Sequence, residues 1–184
     1  YTRDGTDTEG LLAAYQARGK ALLEDLRGRF SLAIVDGGRR EVLLAIDPMG
    51  IERLCWAVVD DKLVFSDSAE AIANFPPLRA PLRAQAVHDF LLMHMIPAPD
   101  TVYKGVHKLE PGEQILFANG RANLSRFWKP RFSERPESFE TLKTDLRGVL
   151  DTAVARCRPD VQTGAFLSGG LDSSTVAGVL GKVS

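Results

Sequence analysis

The chain has 184 residues, of which 45% are hydrophobic, so it contains enough apolar material for one large or two small folded domains. Its 23 basic and 24 acidic residues give a formal net charge of −1, which favours small-molecule ligands over a nucleic acid or a membrane as partners. No apolar run approaches the roughly 18 residues of a membrane span, and the isolated Cys55 and Cys157 suit a reducing compartment, so a cytoplasmic location is expected.

Helix caps, apolar periodicity and turn residues predict the following elements in chain order. Capping residues and apolar residues spaced three or four apart indicate the helices. The predicted helices lie at 6–19, 21–26, 67–72, 81–93 and 139–157. The predicted hairpins share two strand-like runs around a turn, and lie at 30–47, 55–66 and 113–127. Asn119-Gly120 is the strongest of these turn signals. Asp47, which directly precedes Pro48, is interpreted as a turn residue rather than a catalyst.

Residues 129–138 are rich in Pro, Arg, Glu and Ser and predict a linker between two domains, 1–128 and 139–184. In the second domain, the apolar run 164–167 predicts a buried strand that leads into a loop and a helix. A buried parallel strand needs neighbouring strands and covering helices, which so short a segment cannot supply. We therefore expect the chain to be an internal fragment, and Tyr1 in place of an initiator Met agrees with this.

The loop Ser168 to Ser174 reads SGGLDSS and predicts a phosphate site at a helix start. Its two glycines allow close approach of the backbone, and the free N–H groups and dipole of the helix favour an anion. Asp172 would repel a phosphate unless a divalent cation lay between them, which indicates a magnesium–nucleotide complex. The loop lacks the Lys of a Walker motif and the GxGxxG spacing, and Phe166 excludes a nucleophile elbow around Ser168.

With the preceding GAFL segment, this loop resembles the pyrophosphate loop of the N-type ATP pyrophosphatases, specifically that of the glutamine-dependent asparagine synthetases. Further segments resemble that family in the same order: TDTE, LRGRFSLAIVD, AIDPMGI, LVFSDSAEAI, KLEPGE and RFWKP. The resemblance implies a class II glutamine amidotransferase joined to an ATP-dependent synthetase domain. The implied fold class is α/β: a partial N-terminal-nucleophile αββα sandwich followed by the start of a parallel-sheet, adenine nucleotide α-hydrolase-like domain.

The resemblance also implies a reaction and its site residues. A ligase of this family amidates a carboxylate, here aspartate or another acceptor, through an acyl-adenylate that releases AMP and pyrophosphate, with ammonia from glutamine. ATP and Mg²⁺ are the implied cofactors. Asp7 would hold the amino group of glutamine, and Asp172 would hold the Mg²⁺. The implied ATP- and pyrophosphate-binding residues are Phe166, Leu167, Ser168, Gly169, Gly170, Leu171, Asp172, Ser173 and Ser174.

The chain departs from the family pattern at several positions. The family's nucleophile is an N-terminal Cys, which this sequence lacks, so we expect no catalytic residue in the fragment and no activity from it alone. Ile46 replaces the usual Arg before Asp47, and 53–56 replace a Pro-Leu-Tyr-Tyr run, which indicates a divergent branch. Two alternatives stay open: an amide-forming enzyme similar to the β-lactam synthetases without glutaminase activity, and a non-catalytic scaffold. The oligomeric state is also open, with a homodimer among the options.

Overall fold

The structure is a computed structural model that describes residues 6–157, 159–160 and 162–183, and it divides into one unit through Arg131 and a second from Phe132. The helices are α1 Thr6–Arg18, α2 Ala69–Ala73, α3 Ala84–Met93, α4 Phe139–Arg156 and α5 Leu171–Val183, with a 3-10 helix at Gly19–Glu24. The strands are β1 Ser31–Asp36, β2 Glu41–Ile46, β3 Cys55–Val59, β4 Lys62–Ser66, β5 His107–Lys108, β6 Glu113–Ala118 and β7 Arg121–Arg126. No helix among these described residues has both the length and the apolarity to cross a membrane.

The first unit contains two antiparallel sheets. One has four strands in the order β1-β2-β6-β7, and the other has three in the order β4-β3-β5. The three predicted hairpins are confirmed as β1–β2, β3–β4 and β6–β7. Pairing between β2 and β6 joins strands distant in sequence, with Leu43 opposite Leu116. The unit is therefore a mixed α/β structure with antiparallel sheets.

Alternation along β2 places apolar side chains on both faces of the four-stranded sheet. Leu43 and Ala45 pack with Tyr15 of α1 and with Leu22 and Leu23 of the 3-10 helix. On the opposite face, an inter-sheet cluster contains Leu44, Ile46, Leu54, Leu109 and Ile115. A third cluster covers the far face of the three-stranded sheet, where Cys55, Ala57 and Val106 pack with Ile72 and Ala73 of α2. The packing order across the unit is helix, sheet, sheet, helix.

Asp47 directly follows β2 and is only 1% exposed. Its carboxylate accepts three backbone N–H groups, from Met49 at 3.0 Å, Ile51 at 3.1 Å and Glu52 at 2.9 Å. Its carbonyl oxygen also accepts the N–H of Gly112, which directly precedes β6, at 3.0 Å. Burial raises the pKa of Asp47, but the backbone hydrogen bonds outweigh it and hold the pKa below its ordinary value. The interpretation of Asp47 as a turn residue is confirmed.

Two hairpin tips, one from each sheet, lie in contact. Asp60 and Asp61 join β3 to β4 with φ of 48° and 57°, and Asn119 and Gly120 join β6 to β7 with φ of 51° and 74°. Left-handed values at both central residues are typical of type I′ turns. A Cβ built on Gly120 would lie 3.0 Å from the Cβ of Asp61. The two tips therefore meet without room for a further side chain.

Helix α3 differs from its prediction in both start and orientation. It begins at Ala84 rather than near Pro81, because the preceding residues bond elsewhere: Arg83 N–H donates to the Val102 carbonyl at 2.8 Å. The predicted apolar residues Val87, Phe90 and Leu91 are exposed, and Ala86 is the buried residue of the helix. The apolar repeat predicted the helix but not the face that the first unit covers.

The second unit contains α4 and α5. Ser138 caps α4, since its hydroxyl oxygen accepts the N–H of Thr141 at 3.2 Å. None of the side chains of α4 is buried. Residues 164–167, predicted as a strand, adopt no regular secondary structure, and Phe166 is fully exposed. The physical reason is that the described part of this unit contains no other strand with which the segment can pair.

Replacing Asp47 with Asn is expected to lower the free energy of unfolding of the first unit by about 2 kcal/mol, because an amide leaves a buried N–H donor without an acceptor. Since the folded-state pKa of Asp47 is lowered, its contribution is fully present above about pH 4 and is lost as the pH falls through the folded-state pKa. D47N should therefore flatten the pH dependence of stability below about pH 4. Urea denaturation followed by tryptophan fluorescence measures both effects.

The matched control is D60N, because Asp60 is exposed and its left-handed turn conformation accepts Asn readily. Equal unfolding midpoints for D47N and D60N would contradict a stabilising role for the buried carboxylate.

Candidate functional site

The predicted phosphate loop lies directly before and within the first turn of α5. The loop turns at Gly169, whose φ of +81° is in the left-handed region that favours glycine. A Cβ built at Gly169 would have no atom within 4 Å, so the space beside the backbone there is open. Close approach of a ligand to the backbone therefore meets no steric barrier within the described structure.

Hydrogen bonds within the loop converge on Ser173. Its hydroxyl lies 2.9 Å from the Ser168 hydroxyl, receives the Ser168 N–H at 3.3 Å, and can donate to the Gly170 carbonyl at 3.2 Å. A serine hydroxyl has one hydrogen, so it donates to either Gly170 or Ser168 and accepts from the other contacts. Ser173 is half-buried, whereas Ser168 and Ser174 are exposed. These contacts give the loop a defined shape without a ligand.

The start of α5 leaves backbone donors available beside the loop. The N–H of Ser174 donates to the Gly170 carbonyl at 3.1 Å, which is the first bond of the helix. The N–H groups of Leu171, Asp172 and Ser173 precede that bond and have no acceptor within the helix. Together with the helix dipole they favour an anion at this end.

Asp172 is the predicted ligand of Mg²⁺, and it is exposed in the first turn of α5. Within the described residues, no group of three or more His, Cys, Asp or Glu side chains could hold a metal ion. One carboxylate is too few for a dedicated metal site, but Mg²⁺ on a nucleotide is typically held by one or two carboxylates together with the phosphates and water. Asp172 therefore suits a magnesium–nucleotide complex rather than a resident metal.

The other predicted site residues are less constrained. Phe166, Leu167 and Leu171 are 100%, 68% and 83% exposed, so they present apolar surface beside the loop. Asp7 belongs to the first turn of α1 in the first unit, and its side chain lies outside the described residues. The structure thus brings Ser168, Gly170 and Ser173 together by direct contact.

Sequence reasoning treated the three serines alike and missed the central position of Ser173. The signal that distinguishes Ser173 is its place as the third residue of α5, from which a side chain can reach back to the residues before the helix.

Two family models match separate parts of the chain. Residues 2–128 match the family model of a glutamine amidotransferase domain, and residues 145–184 match that of asparagine synthase. A Mycobacterium tuberculosis protein provisionally named asparagine synthetase (glutamine-hydrolyzing) is 33% identical, with 96% of this chain and 28% of that protein covered.

A similarly named Methanocaldococcus jannaschii protein is 27% identical, with 97% of this chain and 36% of that protein covered. The Bacillus subtilis asparagine synthetase (glutamine-hydrolyzing) 3 is 26% identical, with 95% and 29% covered. The chain therefore spans about a third or less of the length of these relatives.

Replacing Ser173 with Ala is expected to accelerate amide hydrogen exchange at Ser168 by roughly tenfold, because the Ser168 N–H loses the hydroxyl that accepts it. Nuclear magnetic resonance measurement of exchange at that amide checks this. The control S174A removes an exposed hydroxyl of the same helix and should leave the Ser168 rate unchanged. Equal rates in the two variants would show that Ser173 does not shape the loop.

Proposed function

The chain belongs to the glutamine amidotransferase domain family through residues 2–128, and on that premise we propose that it is part of an asparagine-synthetase-like enzyme. The complete enzyme takes ammonia from glutamine and uses ATP to amidate a carboxylate, with aspartate as the acceptor, releasing AMP and pyrophosphate. Two observations support this proposal. Several relatives are named asparagine synthetases, and residues 145–184 match the asparagine synthase family model.

The domain assignment is part of the same proposal. Residues 1–128 form the C-terminal part of the glutaminase-type domain, 129–138 form a linker, and 139–184 begin the synthetase domain. The helix, sheet, sheet, helix packing of the first unit supports an N-terminal-nucleophile sandwich. In the second domain, 164–167 form a strand of a parallel sheet once neighbouring strands pair with them.

One observation carries the assignment of the nucleotide site: the loop Ser168 to Ser174 is already shaped around Ser173 at the start of α5. The loop offers donors to a ligand from the backbone N–H groups at the start of α5 and from the exposed hydroxyls of Ser168 and Ser174. The space beside Gly169 is open, so a ligand can approach these donors. Preorganised donors of this kind stabilise the charge on a transferring phosphate group because they need no rearrangement during the reaction.

Each remaining site residue has a proposed role. Asp172 holds Mg²⁺ that accompanies the nucleotide, and the backbone of Phe166 and Leu167 lies beside the AMP portion. Bound ATP supplies the adenylyl group that activates the acceptor carboxylate. Asp7 holds the amino group of glutamine. A cytoplasmic location suits Cys55 and Cys157, which are both free thiols, and a homodimer is part of the proposal for the complete protein.

Replacing Asp172 with Asn in the complete gene product is expected to lower glutamine- and ATP-dependent formation of AMP by on the order of 100-fold, because the Mg²⁺ that neutralises phosphate charge loses its protein ligand. Coupled assays of AMP and pyrophosphate measure the loss. The matched control is E140Q, an exposed acid-to-amide change at the start of α4.

The outcomes separate the alternatives. AMP formation that needs ammonia or an internal amine but never glutamine would favour the enzyme similar to the β-lactam synthetases. No binding of Mg-ATP by calorimetry would favour a scaffold. Equal activity of D172N and E140Q would contradict the proposal that Asp172 holds Mg²⁺.

A further inference from the structure

In the first unit, three chain segments border an open cleft of about 760 Å³. The segments are the turn 50–53 after β2, the stretch 95–98 after α3, and the turn 108–111 between β5 and β6. Ligand sites for small molecules typically have volumes of about 300–1,000 Å³. The cleft therefore has the size of a small-molecule site.

Backbone hydrogen bonds fix the walls of the cleft before any ligand arrives. Leu109 N–H donates to the Leu54 carbonyl at 2.9 Å, and Lys108 N–H donates to the Pro99 carbonyl at 2.8 Å. The carboxylate of Asp47 holds the turn from Met49 to Glu52. Because these bonds join all three segments, binding in the cleft requires little ordering of the backbone.

Two cations of the cleft form no ion pair with a carboxylate of the described residues. Glu52 pairs with Arg29 at 2.8 Å, and Glu110 pairs with Arg126, so the neighbouring acids are already engaged. Among the ion pairs of the described residues, none includes Arg53 or Lys108. The Lys108 ammonium donates to the Ile96 carbonyl at 2.6 Å, which leaves it two further hydrogens. Arg53 and Lys108 thus present unused donors to an anionic group.

Electrostatics agrees with this geometry. Burial lowers the pKa of Lys108, and the nearby positive charge of Arg53 lowers it further, whereas Cys55 and Asp100 act in the opposite direction. Lys108 is half-buried and Arg53 is exposed, and their like charges repel. An anion bound beside both cations would relieve the repulsion.

The cleft also presents an acid and apolar walls. Asp67 lines it, and among the described residues no basic side chain forms an ion pair with Asp67. Ile51 and Met95, 63% and 57% exposed, line the same space. The Asp67 carboxylate would repel a phosphate dianion. In a zwitterionic ligand, the ammonium group would instead be attracted to that carboxylate. The apolar wall suits an aliphatic group.

We propose that this cleft binds a free α-amino acid with an aliphatic side chain, whose carboxylate contacts Arg53 and Lys108 and whose ammonium group contacts Asp67. The aliphatic side chain lies against Ile51 and Met95. This site is independent of the proposed nucleotide chemistry, so either assignment stands if the other fails.

Calorimetric titration of the complete gene product with L-valine and with 3-methylbutanoate tests the proposal, because the two probes differ only in the ammonium group. Valine should bind at least about tenfold more tightly, as expected for one charge-assisted contact. D67N should remove most of that difference. R53Q should weaken valine binding by roughly tenfold or more because a charged donor is lost.

The control R121Q changes an exposed arginine of β7 and should bind valine as the unaltered protein does. Thermal unfolding of each variant shows that the fold is kept, and K108M provides a second test of the carboxylate contact. Absence of saturable valine binding, equal affinity for the two probes, or normal valine binding by folded R53Q and K108M would each overturn the proposal. AMP formation from ATP with ammonia as the nitrogen source, assayed separately, reports on the nucleotide site and not on the cleft.

Discussion

The buried carboxylate of Asp47 determines how the chain passes from one sheet of the first unit to the other. Asp47 directly follows β2 of the four-stranded sheet and holds the turn that leads to β3 in the three-stranded sheet. Its carbonyl oxygen receives the N–H of Gly112, which directly precedes β6. A charged group tolerates such burial because backbone donors replace water around it. The transition between the two sheets and one wall of the cleft, the turn 50–53, therefore both depend on the Asp47 carboxylate.

The two units differ in how much of their apolar surface is covered. The first unit encloses three clusters, in which Leu43, Leu44 and Ile115 are fully buried. In the second unit, Phe139 and Val149 of α4 are 75% and 65% exposed, although they follow a clear helical repeat. The nucleotide assignment consequently rests on local features that need no enclosure, namely a turn, a helix start and hydroxyl contacts. The first unit, in contrast, supports sites formed by distant segments.

Local sequence signals predicted most helices and hairpins of the first unit. They did not predict contacts between segments that are distant in sequence. The predicted hairpin 55–66 has the same outer bounds as β3 and β4, because the turn at Asp60 and Asp61 is specified by adjacent residues. Pairing of β2 with β6 and the late start of α3 depend on partners far along the chain, which periodicity does not identify. Glycines and serines located the phosphate loop, but the role of Ser173 required the helix register. The cleft had no contiguous signal because three separate segments form it.

The contact between the hairpin tips restricts where the length of this chain can change. Tips of hairpins are usually the positions that tolerate extra residues. Here the turn at Asp61 meets the turn at Gly120, so an insertion in either would push the two sheets apart at that end. The β1–β2 tip is different, since a Cβ built on Gly37 would have no atom within 4 Å. We therefore expect a fluorescent label, an affinity tag or new chain termini to disturb the two sheets less at Gly37 than at either of the other two tips.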